Sequence, residues 1–166
     1  MAKIFRWSFV GVLILIVILQ VVSLPVLNQQ MNPPVVQEPV WVDLQTRDIA
    51  QRACFDCHSN ETHWPLYSKI APVSWLITKD VVEGRETLNF SEWNKVYEEA
   101  DEVGEVIQED EMPLWFYLPL HPEAQLSETE KQQLIDGMNA TLGLSSQQES
   151  TEHEADHDES DEEDHD

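Results

Sequence analysis

An all-α domain behind a membrane-crossing helix is the fold class this sequence predicts, and three observations predict it. The chain opens on a long apolar run. Several later stretches repeat apolar residues at helical spacing behind cap residues. Segments that alternate apolar and polar residues, the mark of half-buried strands, are scarce. The chain closes on an acidic low-complexity segment that reads as disordered.

Residues 1–6 carry Lys3 and Arg6 and are expected on the cytoplasmic side. Residues 7–27 form the apolar run, broken only by Ser8, Gln20 and Ser23. About 20 apolar residues cross a bilayer as a helix. A cleaved signal peptide is the rival reading. Val22-Ser23-Leu24-Pro25-Val26 offers no A-x-A-like cleavage site, which favours an uncleaved anchor. The rest of the chain is then exported to the periplasm or cell exterior.

Residues 28–40 are rich in Gln and Pro, with Pro33, Pro34 and Pro39. They read as an extended spacer that holds the domain off the membrane, at about 3.1 Å per residue. Residues 41–143 read as one folded domain, long enough for a single core. Its first helix runs up to Ala53, with Asp43 as N-cap and Leu44, Ile49 and Ala53 toward one face.

Cys54-Phe55-Asp56-Cys57-His58 follows, a C-x-x-C-H pentad and the attachment pattern of c-type haem. Two thiols add across the two haem vinyl groups, and the imidazole after the second Cys reaches the iron. Helical backbone suits this, because residues i, i+3 and i+4 share one side. These are the only cysteines, so no disulfide framework competes. A thioredoxin-like dithiol would need a preceding strand, whereas a helix precedes. A zinc site from Cys54, Cys57, His58 and His63 has the right ligand types but a cramped spacing. One covalent haem is expected, since no second pentad occurs.

Aromatic residues cluster after the pentad: Trp64, Tyr67, Trp75 and Trp93. Trp64 and Tyr67 are candidates to cover a porphyrin and bond its propionates. Arg85 and Lys69 are candidate propionate partners, with packing or solvation as the ordinary alternative. Pro72 opens a helix that Gly84 stops. Ser91 is the expected N-cap of another, with Trp93, Val96, Tyr97, Ala100, Val103 and Ile107 at helical spacing. Residues 109–125 read as an ordered Pro-rich loop. Ser127 and Glu130 form a capping box, and their helix runs to about Thr141 with Leu134, Ile135 and Met138 inward and Gly143 beyond its end.

A haem held by His58 takes a sixth ligand or leaves the position open. Met112, followed by Pro113 in an aromatic-rich loop, is the candidate. Met/His ligation raises the reduction potential and suits electron transfer. His121 and His63 are the alternatives, and Met138 reads as core. An open sixth position would point to a haem sensor or a peroxidase-like protein. No nucleophile–base pair or carboxylate dyad stands out, so electron transfer rather than catalysis is expected.

Residues 144–166 form the acidic tail, with His153, His157 and His165 among its acids. The chain has 32 acids against 9 Lys and Arg, and 11 of those acids lie from Glu149 onward. Acids therefore exceed basic residues outside the tail as well. Nucleic-acid binding is disfavoured, and a redox partner with a basic docking surface is compatible.

With the pentad, Trp64-Pro65-Leu66-Tyr67-Ser68, Ala71-Pro72-Val73-Ser74-Trp75-Leu76, Leu88-Asn89-Phe90-Ser91-Glu92-Trp93, Met112-Pro113 and His121-Pro122 in place, the chain resembles the bacterial haem-binding domain family over residues 40–143. These are small exported proteins with one C-x-x-C-H site. The resemblance implies Cys54 and Cys57 as thioether positions, His58 as proximal ligand and Met112 as distal ligand. It implies haem binding but no particular pathway.

Overall fold

The computed structural model describes residues 2–143; the acidic tail, 144–166, lies outside the described residues. Every regular element among them is a helix or a short 3-10 turn, and one isolated bridge joins Gln37 to Glu92. The all-α expectation holds. The described residues divide into two compact units, 2–38 with 54–97 and 39–53 with 98–143, where the sequence reads as one domain.

The first unit opens on α1 (Ala2–Val22) and its one-turn continuation α2 (Leu24–Leu27). Within α1, Ile4–Val22 is long and apolar enough to cross a membrane. Helix α1 takes in residues 2–6 together with most of the apolar run. The pentad forms the short helix α4 (Phe55–His58), packed on α5 (Val73–Thr87). Phe55, Val81, Leu88 and Phe90 are its buried apolar residues. Phe90 stacks on Phe55 at 5.2 Å and on Trp93 at 6.0 Å.

Residues 28–38 are not a spacer. Gln30 is buried and donates to the Ser68 carbonyl at 2.6 Å and to the Thr78 hydroxyl at 2.9 Å. Asn32 donates to the Thr62 carbonyl at 2.9 Å. The Val36 and Gln37 amides donate to the Ser91 carbonyl at 2.8 and 3.1 Å. Polar side chains that look like linker composition are the residues that tie the segment down, because a buried backbone group must find a partner.

Two helix boundaries also differ from expectation. Gly84 does not stop α5, which continues to Thr87. Ser91 caps no helix; its hydroxyl accepts the Asn60 amide at 2.9 Å, and residues 92–99 run through turns. With the cap spent on a distant amide, that helix starts only at α6 (Val103–Gln108), preceded by a 3-10 turn at Ala100–Glu102.

The second unit contains α3 (Leu44–Ala53), α6 and α7 (Glu128–Leu142). Asp43 accepts the Thr46 amide at 2.7 Å, the expected N-cap. The Ser127–Glu130 capping box is present, and Gly143 closes α7 with φ +78°, where a side chain would be strained. Ile49, Ala50, Ala53, Ile107, Leu134 and Met138 fill this core, with each Ile, Leu or Met side chain worth about 1.5–3 kcal/mol when fully buried. Residues 109–125 carry two 3-10 turns, Leu118–Leu120 and Pro122–Ala124.

Candidate functional site

The pentad folds as the single helical turn its spacing predicts. The Cys54 carbonyl accepts the Cys57 amide at 3.1 Å and the His58 amide at 2.9 Å. This closes the turn and brings both thiols and the imidazole to one side. Phe55, between the thiols, points inward and is 3% exposed. It anchors the turn while Cys54 and Cys57, not joined in a disulfide, stay half-buried.

His58 is held by its inner nitrogen. Nδ1 lies 3.1 Å from the Leu88 carbonyl oxygen. A carbonyl only accepts, so Nδ1 carries the proton and Nε2 keeps its lone pair. Enclosure by neighbouring protein lowers the His58 pKa, against the pull of the Leu88 and Gly84 carbonyls. The imidazole is thus neutral and single in tautomer, the state that ligates a metal. The Leu88 carbonyl is itself fixed from both sides, since the Leu88 amide donates to Gly84 at 2.9 Å and the Phe90 amide to the His58 carbonyl at 2.8 Å.

Gly84 is the second structural partner. A Cβ there would meet the Cys57 carbonyl oxygen at 2.8 Å and its carbonyl carbon at 3.2 Å. Only glycine lets α5 approach the pentad backbone this closely. Burial pushes the Cys57 thiol up to about 12, with the charges of Asp56 and Asp80 adding to the effect and Arg85 opposing it. A protonated thiol is a poor nucleophile and a poor metal ligand.

The loop after the pentad is tightly sewn. Ser59 donates to the Phe55 carbonyl at 2.7 Å and Thr62 to the Asp56 carbonyl at 2.7 Å. His63 stands exposed, its Nδ1 3.1 Å from Asp56. Asn60 accepts from Asn89 at 2.9 Å and donates to the Pro34 carbonyl at 3.0 Å. Arg85 donates to the carbonyls of Ser59 at 2.7 Å and Met31 at 2.9 Å, and to Asn32 at 3.0 Å and Thr62 at 2.8 Å. Its guanidinium is spent on protein oxygens, so the expected propionate role passes to structure. Lys69 bonds Gln30 at 2.8 Å and lies 5.6 Å over the Trp64 ring. Trp64 itself donates to Asn32 at 3.2 Å. Tyr67 lies in the 3-10 turn Leu66–Lys69, half-buried.

Met112 belongs to the second unit. Its amide donates to the Val106 carbonyl at 3.0 Å and its residue is half-buried. His121 stacks on Tyr117 at 3.7 Å, with Nδ1 3.0 Å from the Tyr117 carbonyl. Met138 is 1% exposed, a core residue as expected. Among the described residues no group of three or more His, Cys, Asp and Glu is arranged to hold a metal ion.

Cys54, Cys57 and His58 are therefore together, with Trp64 and Tyr67 in the same unit. Sequence reasoning missed Phe55, Gly84 and the Leu88 carbonyl. The first was readable as the one apolar residue inside the pentad; a backbone acceptor 30 residues away leaves no sequence signal.

These residues fit a covalently attached haem: two thiols on one turn, a neutral histidine, and a backbone acceptor that orients it. A family model described as a haem-binding domain matches residues 14–140. No curated protein and no solved structure matches the chain.

Proposed function

The chain belongs to the haem-binding domain family, and on that footing we propose that it is a membrane-anchored monohaem c-type cytochrome that transfers single electrons. The observation that carries this reading is the His58 imidazole, neutral and oriented by Leu88, on the same turn as two thiols not joined in a disulfide. Bound haem supplies a one-electron iron couple.

The chain's own residues do the rest. Cys54 and Cys57 would hold the haem covalently, each by adding its S–H across a vinyl group, an addition that needs no external oxidant. His58 would hold the iron through Nε2, and its Nδ1–H bond to Leu88 raises the basicity of the ring. Trp64 and Tyr67 would shield the group. Met112 would be the candidate second iron ligand, a thioether that would raise the potential. The protonated Cys57 speaks against a dithiol oxidoreductase, which needs a thiolate at neutral pH.

Helix α1 anchors the protein, with Lys3 and Arg6 on the cytoplasmic side and the haem domain in the periplasm or cell exterior. The excess of acids favours a redox partner with a basic docking surface. Nucleic acid is not among its partners.

The test is the ferric spectrum of haem-loaded protein and of Met112→Ala. Wild-type protein shows the weak long-wavelength band of methionine-ligated ferric haem, and the variant loses it and drops in potential. A high-spin wild-type spectrum that binds cyanide without competition would instead assign the sensor or peroxidase-like alternative.

A further inference from the structure

One of the polar residues that interrupt the apolar run has partners in the folded domain. Gln20, in the last turn of Ile4–Val22, donates to the Lys69 carbonyl at 2.8 Å and accepts the Ala71 amide at 3.3 Å. Ser23 is fully buried, and α2 packs on α5. At 1.5 Å of rise per residue, Gln20 lies about 3 Å short of the end of the span. The clamped segment Lys69–Ala71 is therefore level with the last turn of the helix.

Between the two clamped residues stands Ile70, 57% exposed. Val73 and Leu76, one turn apart at the start of α5, are also open, at 41% and 48%. Further along the same stripe come Lys79 and Glu83, an exposed pair at 2.9 Å. Exposed residues on α5 thus turn from apolar to charged with distance from the clamp.

Charge follows the same division. The chain has 32 acids, yet none occurs before Glu38 and none between Glu61 and Asp80. The only charges at residues 64–79 are Lys69 and Lys79. An apolar patch with Lys69 at its edge and no carboxylate within it, continuous with a span, matches the headgroup layer of a bilayer. Aliphatic side chains enter its acyl boundary.

We infer that Ile70, Val73 and Leu76 form a membrane-docking foot, which holds the pentad-bearing unit flat against the lipid surface into which α1 inserts. The inference rests on α1 being a membrane anchor. It goes beyond anchoring, because an anchor alone leaves a domain free to stand away from the bilayer. Here residues 28–38, folded onto the same unit, add no reach.

The test is photocrosslinking to lipid. Benzoylphenylalanine is placed at Leu13 in the span, at Leu76 or at Glu86 in the full haem-loaded chain, in nanodiscs of radiolabelled phosphatidylcholine. All three sites are exposed, and an unchanged haem spectrum certifies the fold. The expected result is lipid label at positions 13 and 76, with several-fold less at 86. Label at 13 but no more at 76 than at 86 overturns docking and leaves the anchor intact. Crosslinks from 76 to a protein instead of lipid also overturn it. Absence of label at 13 overturns the anchor reading, and docking with it.

Discussion

A methyl group added at Gly84 would meet the Cys57 carbonyl oxygen at 2.8 Å, and the neighbour it presses on is backbone rather than a flexible side chain. Gly84→Ala should therefore cost about 1–3 kcal/mol in urea unfolding, as overpacking does, and lower the yield of haem-loaded protein. Unchanged stability and yield would show that α5 does not hold the pentad. The Cys57 thiol makes a separate prediction. Burial, with Asp56 and Asp80, pushes it up to about 12, so in haem-free folded protein it stays protonated at neutral pH. Only the thiolate alkylates. Iodoacetamide should label Cys57 far more slowly in the folded chain than in urea, and the folded rate should climb as pH rises toward about 12. Equal rates in the two states would contradict the buried, protonated thiol. His58, enclosed and lowered in pKa, stays neutral over the same range and needs no deprotonation to ligate iron.

Among the elements, α5 does the most joining. From it Arg85 reaches residues 31–32 and residues 59–62 with four hydrogen bonds. A lysine ammonium cannot span that fork. Arg85→Lys should cost about 1–2 kcal/mol by denaturant melt, since it leaves the part-buried Ser59 carbonyl and Thr62 hydroxyl without their donor, and should speed proteolysis within residues 28–38. Intact resistance to protease would mean that the segment is held otherwise. Elements set by chemistry within one turn were legible in the sequence: the Asp43 cap, the Ser127–Glu130 box, Gly143 at a C-terminus, and the pentad itself. Elements set by partners far along the chain were not. Ser91 looks like an N-cap but serves Asn60, 31 residues away. Gly84 looks like a helix stop but makes room for Cys57. Gln30 looks like linker composition but is buried against Ser68 and Thr78. In each case the residue type was compatible with two roles, and tertiary contact chose between them.

At the scale of the whole molecule, the chain carries three features: a helix able to cross a membrane and the pentad, both in the first unit, and Met112 in the second. The family to which the chain belongs is a haem-binding one, and the covalent bond to Cys54 and Cys57 is the claim on which the cytochrome reading depends. The most direct measurement is the intact mass of the denatured full chain, made with a haem-attachment system and extracted with acid–acetone beforehand. The account predicts the mass of the polypeptide plus one haem, and the bare polypeptide mass for Cys54→Ala/Cys57→Ala. A bare wild-type chain, with all its colour in the extract, would contradict it.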